Sequence, residues 1–150
     1  MNQLTNPPEL VDYESDFVLW SERQAQLLRS QKYDQLDLPN LLEELDAMGA
    51  SQRKELRSRL VVLLMHLLKC RYQPERKSAS WIATLGEQRT QILLSLEQSP
   101  SLGKDLILTA GAVYHLALKR AAQETMLPIA TFPPANPFSE QELLDLGFIP

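Results

Sequence analysis

Hydrophobic residues recur every three or four positions through most of the chain, which is the spacing of an amphipathic α-helix. The longest such segment covers residues 38–72, and we interpret it as one helix of unusual length. Gly49 lies inside this segment, so a kink at that position is an alternative to a continuous helix. The apolar stripe of the segment comprises Leu41, Leu45, Met48, Leu56, Leu60, Leu63, Leu64 and Leu67.

Three shorter segments have the same periodicity and predict three further helices. They are expected from about 13–15 to 29, over 79–98 and over 100–126. Asp12 or Ser15 is expected to cap the first of them, because short polar side chains accept the free N–H groups of a first turn. Asp37 is expected to cap the long helix in the same way. Pro100 is placed at the first position of the last one, where a helix tolerates proline.

The connections between these helices are short, which favours an antiparallel up-down-up-down four-helix bundle in a single all-α domain over 1–150. Residues 1–11 are expected to be a loose arm. The proline-rich segment 127–150 is expected to be an extended strap that ends in a short helix, opened by a capping box from Ser139 to Glu142. Its anchors are expected to be Phe132, Phe138, Phe148 and Ile149. The second helix is too long for the bundle, and an overhanging apolar end would suit a dimer contact.

Composition adds limits on the class of protein. The chain has 150 residues, 44% hydrophobic and 23% charged, with one cysteine, which predicts a cytoplasmic protein without disulfides. No signal peptide or membrane-spanning run is recognisable. Charge is uneven, since residues 1–52 carry a net −7, residues 53–89 a net +6 and the remainder a net −3.

One candidate site lies at the end of the predicted bundle where the long helix finishes. Bundle geometry places Trp20, His66, Lys69 and Trp81 near this pole. They form either a core cap in which His66 makes a buried hydrogen bond, or a small anion pocket with His66 as acid, base or ligand. His66 and Lys69 are therefore weak catalytic candidates. Cys70 shares a helix face with His66, but a buried free cysteine is the commoner arrangement.

Two charged clusters lie elsewhere on the long helix. Glu43, Glu44 and Asp46 form an acidic patch that either complements the helix dipole or binds a metal or partner. It is about 30–35 Å from His66 along the helix, so the two cannot share a site in one subunit unless the helix folds back at Gly49. The residues of the candidate basic patch are Arg53, Lys54, Arg57, Arg71, Arg76 and Lys77. Overall acidity disfavours nucleic-acid binding there, although phosphate binding stays open.

Familiar catalytic and cofactor motifs are absent from the sequence. There is no dinucleotide-binding or P-loop motif and no nucleophile elbow. A ferritin-like di-metal site needs Glu three residues before His, whereas Leu63 and Ala112 occupy those positions before His66 and His115. We therefore predict no cofactor and no metal.

Several short motifs, taken together, give the chain a resemblance to a known family. They are Tyr13-x-x-Asp16-Phe17-x-x-Trp20, Asp37-Leu38-x-Asn40-Leu41-x-Glu43-Glu44-x-x-x-Met48-Gly49, Leu64-x-His66-Leu67-Leu68-Lys69, Tyr72-Gln73-Pro74-Glu75, Ser80-Trp81 and Phe132-Pro133. Over about 12–150 the chain resembles the bacterial family catalogued as domain of unknown function 29. The resemblance implies an all-α bundle and no particular activity. Cys70 stands where that family tends to have an aromatic residue.

These observations favour a small non-enzymatic module that binds a second copy or another protein through the long helix or its poles. A hydrolase or nuclease-like enzyme centred on His66 is the alternative from another class. Phosphate or nucleic-acid binding through residues 53–77 is the third hypothesis.

Overall fold

The computed structural model describes residues 12–150, and these residues contain helices and no strand. The predicted all-α fold with an overlong second helix is thereby confirmed. The α-helices are α1 (Phe17–Arg29), α2 (Leu38–Tyr72), α3 (Ala79–Gln98), α4 (Leu106–Thr125) and α5 (Glu140–Leu144). Short 3₁₀ helices follow the first four of them, at Tyr33–Gln35, Pro74–Arg76, Pro100–Gly103 and Ile129–Thr131. The predicted loose arm, 1–11, lies outside the described residues.

The helix starts differ from the prediction at two places. The N-cap of α1 is Asp16, whose Oδ1 accepts the N–H of Leu19 at 2.9 Å, so the expectation that Asp12 or Ser15 caps this helix is wrong. Both of those residues instead belong to the turn that precedes α1. Pro100 opens a 3₁₀ helix rather than α4, because the tighter turn closes at Gly103 and α4 begins only three residues later.

The chain forms two compact units, Met1–Gly49 and Ala50–Pro150, and the boundary falls within α2. Helix α2 is helical from Leu38 to Tyr72 without a break at Gly49, and the kink at that position stays a prediction. The single-domain expectation stays a prediction, because compactness alone does not show whether each unit folds by itself.

The described part of the first unit is organised around the carboxylate of Asp37. Its Oδ2 accepts hydrogen bonds from Trp20 Nε1 at 2.9 Å and from Asn40 Nδ2 at 2.8 Å, while Gln24 accepts its backbone N–H at 2.8 Å. The bonds from Asn40 and Trp20 hold the pKa of Asp37 below its usual value. Asp37 also accepts the backbone N–H of Asn40 at 3.5 Å, which confirms its expected place at the start of α2.

The core of the second unit surrounds the last turns of α2. Every residue from Leu63 to Cys70 is buried, so this part of the helix is enclosed on all sides rather than along a single stripe. The sequence explains why, since positions 60–70 are apolar around most of the helix circumference. Buried side chains from α3, α4 and the C-terminal segment complete this core, among them Leu85, Ile92, Val113, Ala117 and Phe138.

The C-terminal segment packs as the sequence predicts, with one exception. Phe132 and Phe138 are buried, and Phe148 is half-buried against Phe138. The capping box at Ser139 is present, with both of its hydrogen bonds formed. Ile149 is 40% exposed and is therefore not an anchor.

A buried arginine on α3 holds this segment in place. Arg89 is 1% exposed and donates to three backbone carbonyls, those of Leu143 at 3.0 Å, Glu142 at 2.7 Å and Phe148 at 2.6 Å. Two of these carbonyls belong to α5, near the end of that short helix, where carbonyls lack partners within the helix and the dipole favours a cation. Arg89 thus replaces the hydrogen bonds that the end of α5 cannot make by itself.

Replacing Arg89 by methionine should lower the free energy of unfolding by about 2–4 kcal/mol, because one buried and two partly buried carbonyls lose a charged donor. Urea unfolding of the full chain measures this loss, and hydrogen exchange should show reduced protection over 140–148. Arg59→Met is the matched control, since Arg59 forms a partly exposed pair with Glu55 and its loss should cost less than about 0.5 kcal/mol. Equal losses in both variants would contradict the role given to Arg89.

Candidate functional site

The second unit contains a cluster of polar side chains on three helices around Lys69. Lys69 is 6% exposed, and its Nζ lies 2.6 Å from Glu124 Oε2 on α4 and 4.4 Å from the centre of the Trp81 ring on α3. The hydrogen bond from Lys69 is the main cause of the lowered pKa of Glu124. An ammonium group held between a carboxylate and an aromatic face is a donor and a cation rather than a nucleophile.

His66 lies one turn before Lys69 and is 9% exposed. Its Nδ1 is 2.9 Å from the carbonyl oxygen of Val62, which can only accept, so Nδ1 carries the proton and Nε2 keeps its lone pair. Burial lowers the pKa of His66, and Lys69 adds to the lowering, so the ring is neutral at neutral pH. The neighbouring Cys70 is buried and its thiol pKa is raised by burial, which disfavours the reactive thiolate.

Trp20, the fourth residue of the predicted pocket, belongs to the first unit. Its ring packs against Tyr13 and Phe17, with centroids 4.9 and 5.6 Å away, and its N–H donates to Asp37. The structure therefore brings Lys69 and Trp81 into contact, with His66 beside them on α2, while the contacts described for Trp20 are all within its own unit.

The acidic patch at the start of α2 divides into two kinds of residue. Glu44 is half-buried and accepts a hydrogen bond from the Tyr13 hydroxyl, which raises the pKa of Tyr13 to about 12. Glu43 and Asp46 are exposed. Among residues 12–150, no cluster of three or more His, Cys, Asp or Glu side chains could hold a metal ion.

The six residues of the predicted basic patch occupy four different settings. Arg71 lies over the ring of Phe138, with its guanidinium carbon 4.5 Å from the ring centre. Lys77 donates to the backbone oxygen of Pro150, and Arg76 is exposed in the second 3₁₀ helix. The other three, Arg53, Lys54 and Arg57, are exposed on α2.

Arg53 and Arg57 line a cavity of about 330 Å³ in the second unit. Its remaining walls come from the same helix and from the connection between α3 and α4: Leu56, Ser101, Leu102, Asp105 and Thr109. Sequence reasoning missed the residues of this connection, just as it missed Glu124. Both approach α2 only through the tertiary fold, and no local pattern indicates such a pairing.

The first half of α2 exposes much of the apolar stripe that the second half buries. Leu38, Leu42, Leu45 and Met48 have 55%, 60%, 62% and 65% of their surface exposed. They recur at spacings of four, three and three, so they lie along one side of the helix. A monomeric protein rarely leaves such a continuous apolar surface in contact with water.

The fold and these clusters define the class of the protein as small and all-α, with one helix of 35 residues. No helix in the described residues combines the length and apolarity needed to cross a membrane. The family model described as "Domain of unknown function DUF29" matches residues 13–149, and the chain belongs to this family. No curated protein and no solved structure matches the chain.

The protonation of His66 should make stability depend on pH between about 7.5 and 5.5. The unfolded chain binds a proton near its ordinary pKa of about 6.5, whereas the folded chain binds it only at lower pH. The stability that neutral His66 contributes is therefore fully present above the pKa of His66 in the unfolded chain. It is lost as the pH falls towards the lower pKa of His66 in the folded chain. Urea unfolding at both pH values should show this loss in the natural chain and a clearly smaller one in His66→Gln, which retains a donor for Val62. An unchanged pH slope in His66→Gln would contradict the assignment.

Proposed function

We propose that this chain is a non-enzymatic helical module that self-associates through α2, with α2 of one copy packing antiparallel against α2 of a second copy. The observation that carries the proposal is a row of exposed charges on the side of α2 that contains Ala50, acidic before Ala50 and basic after it. A two-fold contact uses the same surface on both copies, so that surface must be self-complementary.

The charge pattern of α2 meets this requirement. Glu43, Asp46, Ala50, Arg53 and Arg57 recur at spacings of three and four and thus lie along one side of the helix, beside the apolar stripe. All five are exposed, and none of the four charged ones forms an ion pair among residues 12–150.

When a second α2 runs antiparallel to the first and the two Ala50 residues lie opposite each other, residues of opposite charge face each other. Glu43 and Arg57 lie seven residues before and after Ala50, while Asp46 lies four before and Arg53 three after. A second, antiparallel α2 would therefore place acidic side chains opposite basic ones at both ends of the contact. The small side chains near the centre on this side of the helix, Ala47 and Ala50, allow two helix backbones to approach closely.

An enzyme centred on His66 has less support. Lys69 is engaged by Glu124 and Trp81, and the Nδ1 proton of His66 is engaged by Val62. Both interactions are those of packed structural groups. We also place the module in the cytoplasm, a reducing setting that suits its single, buried cysteine.

Charge reversal at one end of this row of charges tests the arrangement. The paired variant Glu43→Arg/Asp46→Arg should raise the dimer dissociation constant at least tenfold, because each opposed pair becomes two like charges. Arg53→Glu/Arg57→Glu should do the same. The variant with all four changes restores opposite charges and should return the constant to within about threefold of the natural chain. Sedimentation equilibrium measures all four proteins.

The control is Glu97→Arg/Lys119→Glu, which reverses exposed charges on α3 and α4 and should leave self-association unchanged. A natural chain that remains monomeric at high micromolar concentration would contradict the proposal. So would reversed variants that associate as strongly as the natural chain.

A further inference from the structure

The geometry points to a second binding site: we infer that the cavity lined by Arg53 and Arg57 binds the phosphate group of a small phosphate monoester. The cavity lies wholly within the second unit, between α2 and the connection that leads from α3 to α4. Its volume of about 330 Å³ falls at the lower end of the range for small-molecule sites.

The two arginines give the cavity its preference for an anion. They are four residues apart on α2, so their side chains project from the same side of the helix. Neither has an ion-pair or hydrogen-bond partner among residues 12–150. A planar guanidinium donates two parallel hydrogen bonds to phosphate oxygens, and two of them one turn apart can contact different oxygens of one group.

The opposite wall supplies further donors. Ser101 and Thr109 line the same cavity, and their hydroxyls make no hydrogen bond among the described residues. Helix α4 begins beside this wall, and Asp105, its N-cap residue, does not cap it through the side chain. The positive end of the α4 dipole therefore favours the same charge as the arginines do.

Asp105 is the carboxylate of the lining, and its charge opposes an anion. The lining contains two guanidinium groups and one carboxylate, so its net charge is positive. Leu56 and Leu102 add apolar surface, which inorganic phosphate alone cannot cover. This combination is why the inferred ligand is a monoester with an apolar body rather than the free ion.

The inference does not rest on the proposed dimer, although both use Arg53 and Arg57. We expect the anion and a second copy to compete for these side chains. The binding experiment therefore uses the full chain with Glu43→Arg/Asp46→Arg, the change that should weaken the dimer and that lies outside the cavity lining. The inference of anion binding would remain supported even if sedimentation equilibrium showed no self-association.

Phenyl phosphate and inorganic phosphate are titrated into the Glu43→Arg/Asp46→Arg chain by calorimetry at constant ionic strength, in chloride buffer. We expect saturable binding of one phenyl phosphate with a dissociation constant of about 1 mM or lower, and weaker binding of inorganic phosphate. Adding Arg53→Gln/Arg57→Gln should weaken phenyl phosphate binding at least tenfold. Adding Asp105→Asn should tighten it severalfold, because the opposing charge is removed.

Lys54→Gln is the matched control, since Lys54 is an exposed cation on the same helix that does not line the cavity. It should change the constant by less than about twofold. Circular dichroism and thermal unfolding confirm that each variant folds. No saturable binding up to about 10 mM, equal weakening by Lys54→Gln and by the arginine pair, or tighter binding of inorganic phosphate than of phenyl phosphate would overturn the inference.

Discussion

The structure depends on one constraint: the apolar surface of α2, a helix of 35 residues, must be removed from water. From Leu56 onward, α3, α4 and the C-terminal segment cover α2, and every residue from Leu63 to Cys70 is buried. Before that point, the stripe continues along Leu38, Leu42 and Leu45 while most of their surface stays exposed. Burial of such side chains is the main favourable term in folding, so the second half of α2 is the part that the rest of the second unit stabilises.

Polar side chains inside the second unit serve the same packing. Arg89 supplies donors to carbonyls at and beyond the end of α5 and thereby fixes the segment that covers α2. Lys69 does the equivalent for α4 and α3 through Glu124 and Trp81. No side-chain nitrogen or oxygen buried in residues 12–150 lacks a hydrogen-bond partner, as expected where unpaired polar groups would cost stability. These groups are therefore explained by the fold, while the exposed charges of α2 are not.

Local signals carried most of the fold prediction. Helical periodicity located α2 and α3, and the capping box located α5, because both depend on residues close together in sequence. The N-cap of α1 was misplaced because Asp12, Ser15 and Asp16 all suit that position and only chain geometry chooses among them. Sequence reasoning missed Arg89, although this residue lies on the buried side of α3, because an arginine is normally expected to be exposed. Its partners lie more than fifty residues away, and sequence reasoning had no means of pairing them.

The central claim, that α2 associates with a second α2 about an axis beside Ala50, is tested most directly by a cysteine at that position. The proposed two-fold axis places residue 50 of one copy opposite residue 50 of the other. Their Cα atoms would lie within the separation of about 4.4–6.8 Å that a disulfide spans. Under mild oxidation, Ala50→Cys should form a covalent dimer on a non-reducing gel, whereas Ser51→Cys, about 100° around the helix, should form far less. Cys70 is buried and does not compete. If Ala50→Cys stays monomeric, or crosslinks no faster than Ser51→Cys, the account is contradicted.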